Sequence, residues 1–384
     1  MPVTSPYSAL PSRAFWRKAV VEASPFDQSD LYQPKWKISP ETKIATAGSC
    51  FAQHITSHLR AHRFNVLDLE RPPFSLAEEH HQRFGFSLYS CRYGNIYTAQ
   101  QLLQLAQEAR GRFQPQEPAW ERDGRWFDAQ RPGVEPEGLD SADAVREHRH
   151  HHLTRVRLMF KRMDLFIFTL GLTEAWVRPG GLQDTVYPTA PGTIAGQFEP
   201  QRYAFRNYGC ASVIQALQSF RRVVLSLRRG RSFQMLLTVS PVPLTATASG
   251  DHVLAATTYS KAVLRAAAGD LAAGSEAIDY FPSYEIITNQ AARGVFYEAN
   301  LRSVRSQGVS VAMDTFLEAH RSEALNRNGL GADTSPGATM PTRVRGKSAS
   351  RVRRQGQRAQ RQTNQRQRSG DLQCEEALLE AFGP

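Results

Sequence analysis

The sequence predicts an α/β fold with a mostly parallel, doubly wound sheet and helices on both faces. Three observations predict it. Strand-like apolar runs alternate with segments of helical period along most of the chain. One run, DLFIFTLG at 164–171, is apolar almost throughout, which suits a strand buried on both faces. The 384 residues, 41% hydrophobic, are enough to bury a sizeable core.

Taken in order, residues 1–40 are rich in Pro, Ser and aromatics and predict an extended arm that packs on the body. KIATAG at 43–48 is the first strand. Phe51, Ile55, Leu59 and His62 then recur at helical spacing, so Gly48-Ser49-Cys50 is a tight strand-to-helix turn. NVLDLE at 65–70 predicts the next strand, and 71–97, with Pro72 and Pro73, a long connection. TAQQLLQLAQEAR is a helix with Thr98 as its N-cap. The polar stretch near 112–138 predicts a surface insertion. A charged helix follows over 141–163. Its His148, His150, His151 and His152 point to different helix faces, so a solvated face is expected rather than a metal site. Beyond the 164–171 strand come ASVIQALQSFRRVVLSLRR (helix), the strand opening SFQMLLTVSPVPL, HVLAATTYSKAVLRAAAGDL (helix), a strand within IDYFPSYEII, and the helix VSVAMDTFLEAHRSEAL. The expected organisation is an arm over 1–40, a domain over 41–325, a disordered basic linker over 326–372 and a short terminal helix over 373–384.

The net charge of +11 is a local property. Ten Lys or Arg and no Asp or Glu fall between Arg343 and Arg368, so the rest is close to neutral. That stretch has no aromatics on which bases could stack. It allows a weak, salt-dependent contact with nucleic acid or an acidic surface. Four widely spaced cysteines without a CxxC pair argue against zinc or a disulfide framework. No run reaches the length of a membrane span and no leader pattern opens the chain, so a cytoplasmic location is expected. No cofactor and no metal is expected.

The Gly48–Cys50 turn lies where open α/β sheets bind ligands, at the carboxyl edge. A serine there stands near a helix N-terminus that favours developing negative charge. It suits a nucleophile, or a simple helix cap. The string GSCFA at 48–52, with TLGLTEAW at 169–176, SPVPL at 240–244, SKAVL at 260–264 and YFPSYEI at 280–286, resembles the GSCFA family over roughly 40–320. That family is similar to SGNH/GDSL hydrolases. The resemblance implies a flavodoxin-like three-layer sandwich and action on ester bonds, often of acylated carbohydrates or lipids.

Carried over, Ser49 would be the nucleophile and its N–H an oxyanion donor. Gly94 would supply a second N–H. Gly171-Leu172-Thr173-Glu174 stands where SGNH enzymes carry Gly-x-Asn-Asp, so Thr173 would donate to the oxyanion. The late Asp-x-x-His block departs from the family: Asn300-Leu301-Arg302-Ser303 stands there, with Asn for Asp and Ser for His. Losing that histidine removes a contribution of about 10²–10⁴-fold. His252, after the SPVPL strand end, is the best spare base; Glu174 is a carboxylate alternative, and His54 points along its helix away from the turn. Cys50, beside Ser49, is a stronger nucleophile if exposed. Asn300, Arg302 and Ser303, with Arg305, could instead bind an anionic ligand. The leading expectation is an esterase or acyltransferase acting on an O-acyl group of a carbohydrate or similar small molecule. The alternatives are a catalytically inactive binding protein on the same fold and, more weakly, a nucleic-acid-associated protein acting through its basic tail.

Overall fold

Alternation within the strands decides the layers. The computed structural model describes residues 5–320 and 374–383. The chain runs β1 (Ile44–Gly48), α1 (Phe51–Ala61), α2 (Ala99–Ala109), β2 (Ala119–Arg122), β3 (Arg125–Asp128), α3 (Ala142–Arg162), β4 (Leu165–Leu170), β5 (Glu174–Arg178), β6 (Thr185–Tyr187), β7 (Ala204–Asn207), α4 (Cys210–Leu227), β8 (Gln234–Val239), α5 (Val253–Ala273), β9 (Ile278–Tyr280), α6 (Ser283–Thr288) and α7 (Ser306–His320). A 3₁₀ helix follows over Glu375–Phe382. The basic stretch within 326–372 lies outside the described residues.

The central sheet is parallel, in the order β1-β4-β8-β9. Ala45, Ala47, Phe166, Phe168, Met235 and Leu237 point to one face, where α2, α3, α4 and α5 bury them. Thr46 and Thr238 point to the other. There Thr56 of α1 bonds Thr46 at 2.9 Å and Ser283 of α6 bonds Thr238 at 2.6 Å. The expected three-layer α/β sandwich is present. Residues 65–70 do not form a strand of their own. Val66 makes a single parallel bridge to Ile44 at the outer edge of β1 before the chain turns away. Counting that bridge, the chain order across the sheet is 2-1-3-4-5, and the switch point falls between β1 and β4.

Two smaller sheets were not foreseen. β6-β5-β7 is antiparallel, and the segment expected as a surface insertion contains the β2–β3 hairpin. One face of the hairpin is buried: Trp120 and Phe127 pack with Tyr187 and Tyr203 in a satellite core.

α3 is not solvated all round. His148, His150 and His151 are at least partly exposed, but His152 is fully buried and its Nδ1 lies 2.7 Å from Glu70 Oε2. One turn earlier, Arg149 reaches Glu108 of α2 at 2.6 Å and Asp128 of β3 at 3.1 Å. Arg131 bonds Asp128 at 2.7 Å. This ion cluster ties α2, α3 and the hairpin together. No group of His, Cys, Asp and Glu among the described residues could hold a metal ion. No described helix is long and apolar enough to cross a membrane.

The buried imidazoles make stability pH-dependent. Burial pushes His152 down to about 4, with Arg131 adding to the shift, and burial likewise takes His54 and His320 to about 4. An unfolded histidine titrates near 6.5. Between those values the unfolded chain binds the extra protons, so stability is expected to fall as pH drops from about 6.5 to 4. Urea midpoints across that range measure it. His152→Gln should flatten the slope by about one proton; an unchanged slope would contradict the assignment.

Candidate active site

The site grows from the end of β1. Gly48 has φ +145°, and a β-carbon there would stand 2.5 Å from the Thr169 carbonyl oxygen. Only glycine lets β1 turn so close to β4. Ser49 follows, 3% exposed, at the switch point. Across from it, a β-carbon on Gly171 would stand 2.9 Å from Ser49 Cβ. The Tyr97 carbonyl accepts the N–H groups of Gly171 and Leu172 at 3.0 and 3.2 Å, which locks the β4 end to the segment before α2.

The Ser49 N–H donates to Thr169 O at 3.1 Å, so in this arrangement it is engaged in the sheet rather than offered to an oxyanion. The Ser49 carbonyl accepts from Tyr89 Oη at 3.1 Å. The Ser49 hydroxyl is buried without a hydrogen-bond partner among the described residues. No imidazole therefore lies within hydrogen-bond reach of it.

The other predicted residues fall into two groups. Gly94 (φ +67°) and Arg302 lie against an acidic pair, Glu375 and Glu376: a β-carbon on Gly94 would lie 3.6 Å from Glu375 Oε1, and Arg302 Nη2 lies 3.3 Å from Glu376 Oε2. The rest bond elsewhere. Thr173 donates its N–H to Ser260 Oγ at 3.0 Å and its hydroxyl to Asn207 Oδ1 at 2.7 Å. Glu174 accepts from Thr247 Oγ1 at 2.7 Å, with its pKa raised by burial. His252 is exposed and caps α5, its Nδ1 accepting the Leu254 N–H at 3.1 Å. Asn300 Oδ1 accepts the N–H groups of Arg302 and Ser303, and its amide donates to Ser303 Oγ at 3.0 Å. These two residues close an exposed turn on each other and present only Arg302 inward. Arg305 pairs outward with Glu298 at 3.4 Å.

Sequence reasoning missed what fills the site. Cys374, Glu375 and Glu376 enter it. Glu375 accepts from Tyr97 Oη at 2.9 Å and from the Asn95 amide, and Asn95 Oδ1 in turn accepts from Tyr89 at 2.5 Å and Gln53 at 3.1 Å. Glu376 accepts the Thr245 N–H at 2.8 Å. Lys261, 2% exposed, donates to Gly171 O at 2.6 Å; burial pushes its pKa down to about 8, opposed by Glu376 and Cys50. The Cys50 and Cys374 thiols act on each other, which raises Cys50 and lowers Cys374 to about 7. Beside this cluster is a cavity of about 250 Å³, lined among others by Glu174, Trp176, Tyr187, Thr247, Glu376 and Leu379. A larger cleft of about 1150 Å³ along α3 touches none of the predicted site residues. One signal for Lys261 was in the sequence: it sits in SKAVL, a segment that carried the resemblance.

An open, mostly parallel sheet with helices on both faces places the chain among the doubly wound α/β proteins, and its serine and close-approach glycine lie at the switch point, where open sheets of this kind place ligand sites. The model of the GSCFA family matches residues 43–316, well over half of the chain, and the chain belongs to that family. No curated protein and no solved structure matches it significantly.

Proposed function

We propose that this GSCFA-family chain has an SGNH hydrolase-like fold and uses the pocket at its β1–α1 turn to bind a small ligand without hydrolysing it. One observation carries this reading. The two residues at the Asp-x-x-His positions, Asn300 and Ser303, are hydrogen-bonded to each other in an exposed turn, and among the described residues no side chain hydrogen-bonds the Ser49 hydroxyl to take its proton. A serine hydroxyl without a base is a poor nucleophile. Binding needs no such base. A cytoplasmic location is part of the same proposal and agrees with four free cysteines.

A second reading keeps the chemistry: an esterase or acyltransferase acting on an O-acyl group of a carbohydrate. The unpartnered Ser49 hydroxyl favours it, because that oxygen could approach an acyl carbon. The Gly94 N–H and Thr173 would then hold the oxyanion, with His252 or Glu174 as base. Thr173 and His252 would have to leave Asn207 and the α5 cap to do so.

A fluorophosphonate probe and an aryl acetate separate the two. We expect no labelling at Ser49 and ester turnover no greater than that of Ser49→Ala. Labelling abolished by Ser49→Ala, with histidine-dependent turnover, would reject the binding reading in favour of the esterase.

A further inference from the structure

The Glu375 and Glu376 carboxylates enter the site from adjacent residues, and every group that receives them belongs to the body of the fold. Asn95 and Tyr97 precede α2, Thr245 follows β8, Lys261 lies on α5, and Arg302 lies in the turn before α7. Two cations of the body stand at this pocket: with the glutamates in place, Lys261 is 2% exposed and the Arg302 side chain 13% exposed. Buried cations are costly unless a negative group meets them. The receptor also has more capacity than the glutamates use: Arg302 Nε and Thr245 Oγ1 are buried without partners among the described residues. The positive charge and the hydrogen-bond donors of the pocket therefore all come from the body of the fold.

We infer that this pocket is a receptor for a carboxylate-bearing ligand and that Glu375 and Glu376 occupy it in cis, as a competitor carried on the same chain. The inference rests on reading the site as a binding pocket and does not require Ser49 to react. Arg302 and the Thr245 N–H would take one carboxylate, with Lys261 close by, and Tyr97 and Asn95 the other. A ligand with two carboxylates a few bonds apart would reproduce what the adjacent glutamates do.

The test uses the full chain and a fluorescent peptide, SEEALLEAF, which copies residues 374–382 with serine in place of cysteine. In the double variant E375Q/E376Q the receptor loses its charged occupant. The peptide should bind that variant at least ten-fold more tightly than the wild type, glutarate should displace it, and SQQALLEAF should not bind. Adding Arg302→Gln should weaken binding at least ten-fold. Adding Arg146→Gln, on the exposed face of α3 where it pairs with Asp143, should leave it unchanged, and the fluorophosphonate assay reads the serine separately, so a failure of serine chemistry and a failure of the receptor are told apart. Equal binding of both peptides, or binding indifferent to Arg302→Gln, overturns the inference. If the double variant does not fold, the wild type answers: SEEALLEAF should speed alkylation of Cys374 by iodoacetamide and SQQALLEAF should not. No difference between them overturns the inference as well.

Discussion

Arg149→Met is expected to lower the unfolding free energy by about 3–5 kcal/mol, the largest stability effect of any single substitution considered. Arg149 is held between Glu108 and Asp128, and the three side chains are 6–9% exposed. Removing the guanidinium leaves Glu108 without its cation, and Asp128 with Arg131 alone, in a site that water hardly reaches. Methionine fills much the same volume, so the loss reports charge rather than a cavity. The urea midpoint measures it. Adding Glu108→Gln should recover a large part of the loss, because the stranded charge then disappears, while Asp128 keeps Arg131 as its partner. A loss under about 1 kcal/mol for Arg149→Met would mean that the cluster contributes little.

Gly48→Ala should cost on the order of 3 kcal/mol. The new methyl group would meet Thr169 O at 2.5 Å and Thr169 Cβ at 2.8 Å, and the backbone there has φ +145°. Thr169 is the register partner of Gly48 in the neighbouring central strand, so it cannot yield without disturbing the β1–β4 pairing. Because Ser49 follows directly, the same change should also disorder the pocket. Denaturant unfolding, with the acidic-peptide assay on the folded fraction, checks both. A near-neutral ΔΔG would show that β1 can shift to accept the methyl group.

The central fold was legible because its signals are local. β1, β4 and β8 are short apolar runs followed by glycine, proline or a helical period, and each such pattern is decided within a dozen residues. β5, β6 and β7 were not. EAWVR, TVY and AFRN are short, polar on one side and separated by long proline-containing loops, and their pairing depends on tertiary context. The burial of His152 and Arg149 was legible in principle. Val145, Arg149, His152, Val156 and Met159 lie on one helical stripe, and all are buried. Polar residues on an otherwise apolar stripe call for buried partners, a signal that outranks the charge of the helix as a whole.

The turn at Ser49 could be placed from sequence, but its surroundings could not. Glu375 and Glu376 read locally as acidic residues in the first turn of a short docking helix, where they are favourable in any case. Nothing near them in sequence names Arg302 or Tyr97 as partners. The Asn300–Ser303 substitution was visible, but not that the two residues would bond each other and turn only Arg302 inward.

The covalent connection between the acidic pair and its pocket has a practical consequence. A group tethered to its own receptor acts at an effective concentration that can approach the millimolar range and declines as the tether lengthens. Any diffusing molecule must outcompete it, so its apparent dissociation constant on the intact chain is the intrinsic one divided by the fraction of time the pocket is open. A ligand search on the unmodified protein would therefore under-report good binders. Screening the glutamine double variant in parallel, and ranking compounds by the gain between the two, would bring them out.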